Sequence, residues 1–359
     1  MENKFLTPEV VANEALMCLT NNLVMADLVH RDYADEFVAV GDTISIRKPA
    51  KFIAKNFTGT TEPQDITEGS VTVKLDRFRD VTVAVTSKEL SLDIADFSAQ
   101  VVQPAMQAIA QAIDQDLLAV ATEKAGNSIL GNQEATDLSD IAAMAKQLDM
   151  AKAPVQNRSL VMHPEHKYRY ALTENLSNVS YAGDNETLRD ALLGKVYTLE
   201  TYMDQNAPDS VAAEPGNAEL CIICAEKGDT QVRVTWLEGT IREGDGFILD
   251  GYLYRFMGDL DADGLVNIDQ PLVTKAEDAG VTLVNGPHSL AFHRNALALV
   301  SRNLALPMGA ANAAYASAGG LGVRVVYDYD SATKTDKISF DVIYGIQELE
   351  PALICKLKG

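Results

Sequence analysis

Cysteine is scarce in this chain of 359 residues, which holds only Cys18, Cys221, Cys224 and Cys355. Cys221 and Cys224 form the one close pair, with no second pair to complete a four-sulfur zinc site. They lie in the apolar run Leu-Cys-Ile-Ile-Cys-Ala, which reads as a buried strand. Residues three apart on a strand face opposite ways, so buried, reduced thiols are expected there rather than a shared ion. Long hydrophobic runs are also absent. No stretch of about 18 uncharged apolar residues occurs, and the start, Met1-Glu2-Asn3-Lys4-Phe5, has neither the basic nor the apolar part of an export signal. No membrane span is expected. Positive charge is in short supply, with 30 Lys+Arg against 51 Asp+Glu, a formal charge of -21 and a pI near 4.6. Nucleic-acid affinity comes from Lys and Arg displacing condensed cations, which argues against tight DNA binding by the whole surface.

Catalytic signatures are missing as well. There is no serine elbow, Walker loop or dinucleotide glycine fingerprint, and Gly319-Gly320-Leu321-Gly322 precedes a strand pattern instead of opening a helix. His163-Pro164-Glu165-His166 lacks the i, i+4 spacing of a metalloprotease helix, and His288 and His293 have no third ligand. Helix-entry or surface positions account for these histidines. Neither a cofactor nor an enzymatic role is expected.

What remains is a core-forming chain, 47% hydrophobic and 23% charged. Its length suggests two or three units at roughly 150 residues each. Thr7-Pro8-Glu9 gives a helix an N-cap, a proline at its first position and an acid in its first turn, so an amphipathic helix should run to Asn22. Near residue 42 the hydrophobic period becomes two. Ile44 and Ile46, then Val71, Val73 and Leu75, then Val81, Val83 and Val85 alternate with polar residues, giving two long strands around a loop over residues 56–70. That loop is longer than the two to five residues usual in hairpins.

Charge is separated along this hairpin. Its first part carries Arg47, Lys48, Lys51 and Lys55 and no acid, and its loop carries Glu62, Asp65 and Glu68. Residues 42–90 are net +1 in a chain of -21. Two readings stand: a solvated hairpin whose charges protect exposed edges, or a basic arm laid on an acidic neighbour of the same kind.

The strongest helical signal follows. Val102, Met106, Ile109, Ile113, Leu117 and Val120 form one stripe on a helix expected over about residues 93–123. It would be on the order of 45 Å long. Pro104 should kink it or mark the end of a first separate turn. Residues 136–208 then read as mixed α/β, with helices near 138–150, 164–172 and 186–193 and strands near 159–162 and 197–202. Fifteen acids and five bases over residues 209–285, together with a β-rich pattern, suggest an inserted β domain. Residues 291–304 form a helix or strand, strands are expected near 322–328 and 337–344, and a last strand near 352–357.

Asp259-Leu-Asp261-Ala-Asp263-Gly264 matches the first half of a calcium loop, but position twelve is Gln270, which cannot supply the bidentate carboxylate. An acidic β-turn fits better. A calcium- or ligand-binding β module and a hydrolase built on paired carboxylates are the alternatives to a structural role.

The phrases Gly239-Thr-Ile-Arg-Glu-Gly-Asp-Gly-Phe-Ile-Leu-Asp-Gly251, Ala291-Phe-His-Arg-Asn-Ala-Leu-Ala-Leu-Val-Ser-Arg302, Gly322-Val-Arg-Val-Val-Tyr-Asp-Tyr-Asp330, Ile338-Ser-Phe-Asp-Val-Ile-Tyr-Gly345 and Glu350-Pro-Ala-Leu-Ile-Cys355 follow one another in that order. With the order of elements, they resemble the major capsid proteins of tailed phages, in the Hong Kong 97-type fold and the branch with an inserted β domain. The resemblance implies an α+β chain with an N-terminal arm (1–41) and an extended hairpin loop (42–90). It further implies a spine helix of a peripheral domain (91–127), an axial domain in two parts (128–208 and 286–320) around the inserted domain (209–285), a peripheral hairpin (321–346) and a C-terminal strand (347–359). It also implies a structural protein of the virion capsid, assembled in the host cytoplasm into an icosahedral shell of hexamers and pentamers, with a scaffolding protein and portal as partners and double-stranded DNA enclosed without sequence-specific binding. Arg47, Lys48, Lys51, Phe52, Lys55, Phe57, Glu62, Asp65, Arg77 and Arg79 are then the expected subunit interface.

Overall fold

The computed structural model describes residues 8–31, 43–47, 70–86, 98–131, 138–178, 193–210, 220–235, 246–250, 252–258, 264–283, 286–307, 312–330 and 335–358. Its helices are α1 (Pro8–Asn22), α2 (Met25–Leu28), α3 (Gln103–Glu123), α4 (Ser139–Met150), α5 (Pro164–Ala171) and α6 (Glu174–Ser177). The first strands are β1 (Thr43–Arg47), β2 (Ser70–Lys74), β3 (Arg77–Thr86), β4 (Asn127–Leu130), β5 (Arg158–Met162), β6 (Lys195–Val196), β7 (Leu199–Met203) and β8 (Asp209–Ser210). Six more follow as β9 (Leu220–Ala225), β10 (Gln231–Thr235), β11 (Gly246–Leu249), β12 (Tyr252–Arg255), β13 (Gly264–Asn267) and β14 (Ala276–Leu283). The remainder are β15 (Gly286–His293), β16 (Leu297–Arg302), β17 (Ala313–Ala318), β18 (Leu321–Asp330), β19 (Thr335–Glu348) and β20 (Ile354–Lys358).

The chain divides into two units, Met1–Lys124 with Arg294–Pro351, and Ala125–His293 with Ala352–Gly359. In the first, β16, β19, β18 and β17 form an antiparallel sheet, and β3 pairs with β19 over ten residues. Val323, Val325, Phe340 and Val342 are buried, as the period-two pattern requires. Helix α1 packs on β17 and β18, and Ala314 and Ala316 of β17 are small and buried. Gly319 and Gly320, at φ of 57° and 80°, make the tight turn between β17 and β18 that only glycine enters at little cost.

Helix α3 buries Met106, Ile109, Ile113 and Leu117 from the expected stripe. Pro104 sits in its first turn, where a missing N–H costs nothing, and a π-helical turn (Ser98–Val102) runs into it. Of the two outcomes expected for this proline, the structure takes the separate turn and not the mid-helix kink. Residues 87–97 lie outside the described residues.

The second unit holds a sheet in the order β4, β20, β15, β5, β7, β6, with β4 parallel to β20 and β5 parallel to β7. Ile141, Met144 and Leu148 of α4 contribute to the core that includes Leu160 and Leu357 of this sheet. Residues 211–285 leave and return at one neck, where β8 pairs with the first residues of β15. Inside that span a six-stranded antiparallel sheet, in the order β12, β11, β14, β9, β10, β13, has its own core. Phe247 stacks on Phe256 at 4.5 Å and on Tyr254 at 5.3 Å between ring centroids.

Several expectations need correction. The two long strands of residues 42–90 are three: β1 pairs with β2, whereas β3 joins the β19 ladder, so the arm proper spans residues 43–74. The expected second axial segment, 286–320, is divided between the two units. The chain changes unit at His293/Arg294, and β16 and β17 belong to the first unit. Residues 291–304 are neither one helix nor one strand, because the short 3-10 turn Arg294–Ala296 separates β15 from β16. The last expected strand is β20, which sits between β4 and β15. Tyr197 and Thr198, expected within a strand, form the turn between β6 and β7 at φ of 44° and 73°. The helix expected at 186–193 falls almost entirely outside the described residues.

Cys221 is half-buried and Cys224 exposed, so only Cys355 is a buried thiol. The cause is a register shift where β9 pairs with β10, which lets Ile222 and Ala225, three apart, both face the core. His166, His288 and His293 are buried and not surface histidines. His163 does open a helix, accepting a hydrogen bond from the Glu165 N–H at 3.1 Å.

One close approach ties the arm to β19. A Cβ on Gly345 would stand 2.2 Å from the Lys74 carbonyl oxygen at the end of β2. Replacing Gly345 with alanine forces that backbone aside and should cost about 2–3 kcal/mol. Urea unfolding of the two chains measures the difference, and a loss under about 0.5 kcal/mol would show that the approach is not constraining.

Candidate functional site at the root of the arm

The arm begins as a two-stranded ribbon, β1 on β2, with five residue pairs from Thr43 with Lys74 to Arg47 with Ser70. Two strands alone are marginal in water, so the ribbon depends on what holds its base. Val73 and Leu75 supply part of that hold, being buried with Ala298, Val300 and Leu349. Val73 loses all its exposure, worth on the order of 1.5–3 kcal/mol.

A polar cluster supplies the rest. Two residues past β2 the chain enters β3, where Arg77 stands opposite Tyr344 in the ladder and Arg79 opposite Val342. The period of two puts Arg77, Arg79 and Tyr344 on one face. From α3 the Asp116 carboxylate meets them. Arg77 Nη1 lies 2.8 Å from its Oδ1, Arg79 Nη2 donates to Oδ1 at 2.9 Å and to Oδ2 at 2.7 Å, and the Tyr344 hydroxyl donates to Oδ2 at 2.5 Å. The Tyr344 ring is fully buried, and the Asp116 side chain is 15% exposed against 45% for Arg79. Charged hydrogen bonds around a mostly buried carboxylate are worth more than surface pairs.

The titration of the cluster follows. Burial pushes the Asp116 carboxyl up, but hydrogen bonds from Tyr344, Arg79 and Arg77 and the charge of Arg77 outweigh it, so the group titrates below its ordinary range. Burial first, and then the bond to Asp116, push the Tyr344 phenol up. Arg79 is raised by its bonds to Asp116 and Tyr344.

Two residues earlier on the same helix, Asp114 is buried and accepts hydrogen bonds from the N–H groups of Val24 at 2.8 Å and Met25 at 3.1 Å. The N-cap residue of α2 makes no side-chain cap of its own, so a carboxylate 90 positions away satisfies these donors. Helix α3 thus holds both the N-terminal segment and β3, the strand into which the arm runs.

Among the expected interface residues, Arg77 and Arg79 come together at Asp116 of their own chain, and Arg47 ends β1. Lys48, Lys51, Phe52, Lys55, Phe57, Glu62 and Asp65 lie outside the described residues, as do Asp259, Asp261 and Asp263 of the acidic turn, between β12 and β13. Asp114, Asp116 and Tyr344 were not among the expected site residues. Asp116 had a signal, since it falls three residues after Ile113 and seven after Ile109, a stripe position where a carboxylate needs a partner.

Replacing Tyr344 with phenylalanine should destabilise the chain by about 1–2 kcal/mol in thermal or urea unfolding, since it deletes one donor and keeps the ring. The folded Asp116 titrates below its unfolded value, so its contribution is complete above about pH 4 and is lost as pH falls through its lowered folded value. Urea unfolding across pH 2–7 should therefore show a steeper acid loss for the natural chain than for Asp116→Asn, and parallel curves would refute this.

A family model and a solved structure with a TM-score above 0.5 agree with this architecture. The family model described as P22 coat protein, gene protein 5, matches residues 3–192. A solved structure from Mycobacterium phage Che8 has a TM-score of 0.56 at 15% identity, covering 93% of this chain and 90% of that one. The capsid structure of cyanophage P-SCSP1u follows at 0.49 and 12% identity, covering 89% and 84%. A virus-like particle from Pyrococcus furiosus gives 0.48 at 8%, covering 97% of each chain. No curated protein matches. An α+β chain of the Hong Kong 97 type, matched over more than half its length by the coat-protein model, belongs to the P22 coat protein family and serves as a phage major capsid protein in the virion shell.

Proposed function

We propose that the arm of residues 43–74 is the element by which each copy grips the next, joining copies head to tail into hexamers and pentamers of an icosahedral shell. The observation that carries this reading is the anchored ribbon: two strands, five ladder pairs, and a root fastened by Val73, Leu75 and Asp116. A ribbon too small to be stable alone gains from a partner surface. Its charge supports the direction. Residues 43–61 carry four basic side chains and no acid, in a chain whose residues 209–285 hold fifteen acids. Complementary fields of this kind steer and register association. Heterologous contacts that close on rotation make rings, and rings of hexamers and pentamers close a shell.

The same reading places assembly in the host cytoplasm, with a scaffolding protein and a portal as partners and double-stranded DNA enclosed without sequence-specific contacts. A net charge of -21 supports the last point, because an acidic wall repels the genome it surrounds.

Replacing residues 48–69 with a two-residue Asn-Gly turn tests the proposal. The natural chain, with scaffolding protein if needed, should sediment as megadalton particles visible by negative-stain microscopy. The shortened chain should keep its circular dichroism spectrum and remain monomeric or in small oligomers. Shells of natural size from the shortened chain would overturn the role of the arm.

A further inference from the structure

We infer that Asp116 is a positioning residue for shell assembly, fixing the direction in which the β1–β2 ribbon departs from the β3–β19 ladder. The inference rests on the reading that the arm joins neighbouring copies. Its geometric basis is leverage. β2 ends at Lys74 and β3 begins at Arg77, so one intervening pair of residues separates the arm from the strand that Asp116 clamps. The clamp bears on both strands at that point, through Arg77 and Arg79 on β3 and Tyr344 on β19. Five residues of strand reach about 16 Å, so a tilt of about 10° at the root moves the far end of the ladder by about 3 Å. That is the length of a hydrogen bond, enough to unmake contacts on a neighbour.

The chemistry of the clamp also suits positioning. A carboxylate offers about four acceptor sites in one plane. The hydroxyl of Tyr344, two donations from Arg79 and the Arg77 guanidinium take up that capacity. Arg79 Nε also reaches the Tyr344 oxygen at 3.4 Å, which links the two strands directly. An asparagine of the same shape would offer one acceptor oxygen and turn an amide N–H₂ toward two guanidinium groups.

A buried carboxylate elsewhere in the same unit provides the control. Asp341 takes two hydrogen bonds from Arg324, at 2.5 and 2.9 Å, and one from Ser339 at 3.0 Å, and its ion pair spans β18 and β19. The experiment compares the full-length natural chain with Asp116→Asn, Asp116→Glu, Tyr344→Phe and Asp341→Asn. Two quantities are read for each: the urea midpoint, and the fraction of closed shells among particles in negative stain.

Asp116→Asn should lower the closed fraction at least fivefold in favour of open or irregular particles. Tyr344→Phe should lower it less, and Asp116→Glu should recover part of it. Asp341→Asn, at equal or greater loss of urea midpoint, should close like the natural chain. If closure follows the urea midpoint alone across all variants, Asp116 is structural only and the inference fails. Should Asp116→Asn not fold, Tyr344→Phe decides on the same criterion. A natural chain that forms no particle would instead strike the assembly reading, and this inference with it.

Discussion

A ribbon of two strands has no interior, and this lack governs the first unit. The β1–β2 pair can bury nothing between its faces, so its order must be imported through its base. Three devices provide it at one place: apolar side chains sunk under β16, a glycine that lets the β2 carbonyl approach β19, and a carboxylate that draws in three donors. Each is weak alone. Together they turn a marginal ribbon into a directed arm, and Asp114 applies the same solution to the N-terminal segment from one turn of the same helix.

Local patterns made much of this legible. The start of α1 could be read because Thr7-Pro8-Glu9 states a cap, a permitted proline and a favourable charge within three residues. The stripe of α3 could be read because six apolar residues repeat at helical spacing. The acidic stretch of residues 209–285 opens where β8 pairs with the first residues of β15. Local patterns failed where partners are distant in sequence. Nothing near Arg77 says that β3 turns away from β1 to join a strand more than 250 residues later, since Val81, Val83 and Val85 alternate equally well for either partner. The residues 291–304 were ambiguous for a related reason. A run buried on every side has no period to read, and β16 is buried at five of its six positions.

The site was legible only in outline. Arg77 and Arg79 were named as part of a subunit interface that the resemblance implied, and nothing near them in the sequence pointed to the group that binds them within their own chain. Asp116 signals by its place on the apolar stripe that it needs a partner but not which one, and Tyr344 is an ordinary strand residue until the ladder sets it opposite Arg77. Buried polar partners declare themselves by pairing, which is a property of the fold and not of either segment. The cysteine pair makes the same point in reverse. Alternation predicted opposite faces, and a single register shift between β9 and β10 removed the premise.

The path of the chain has a kinetic meaning. β15 and β20 are neighbours in one sheet, yet residues 294–351, which build most of the other unit's sheet, lie between them in sequence. Neither unit is a continuous stretch that could fold and wait. The second unit's sheet stays open between β4 and β15 until the excursion has been completed, and such long-range closure is slow because its entropy is lost before its contacts form. Until β20 takes its place β4 and β15 share no ladder, so the second unit's sheet is in two parts before that strand joins them.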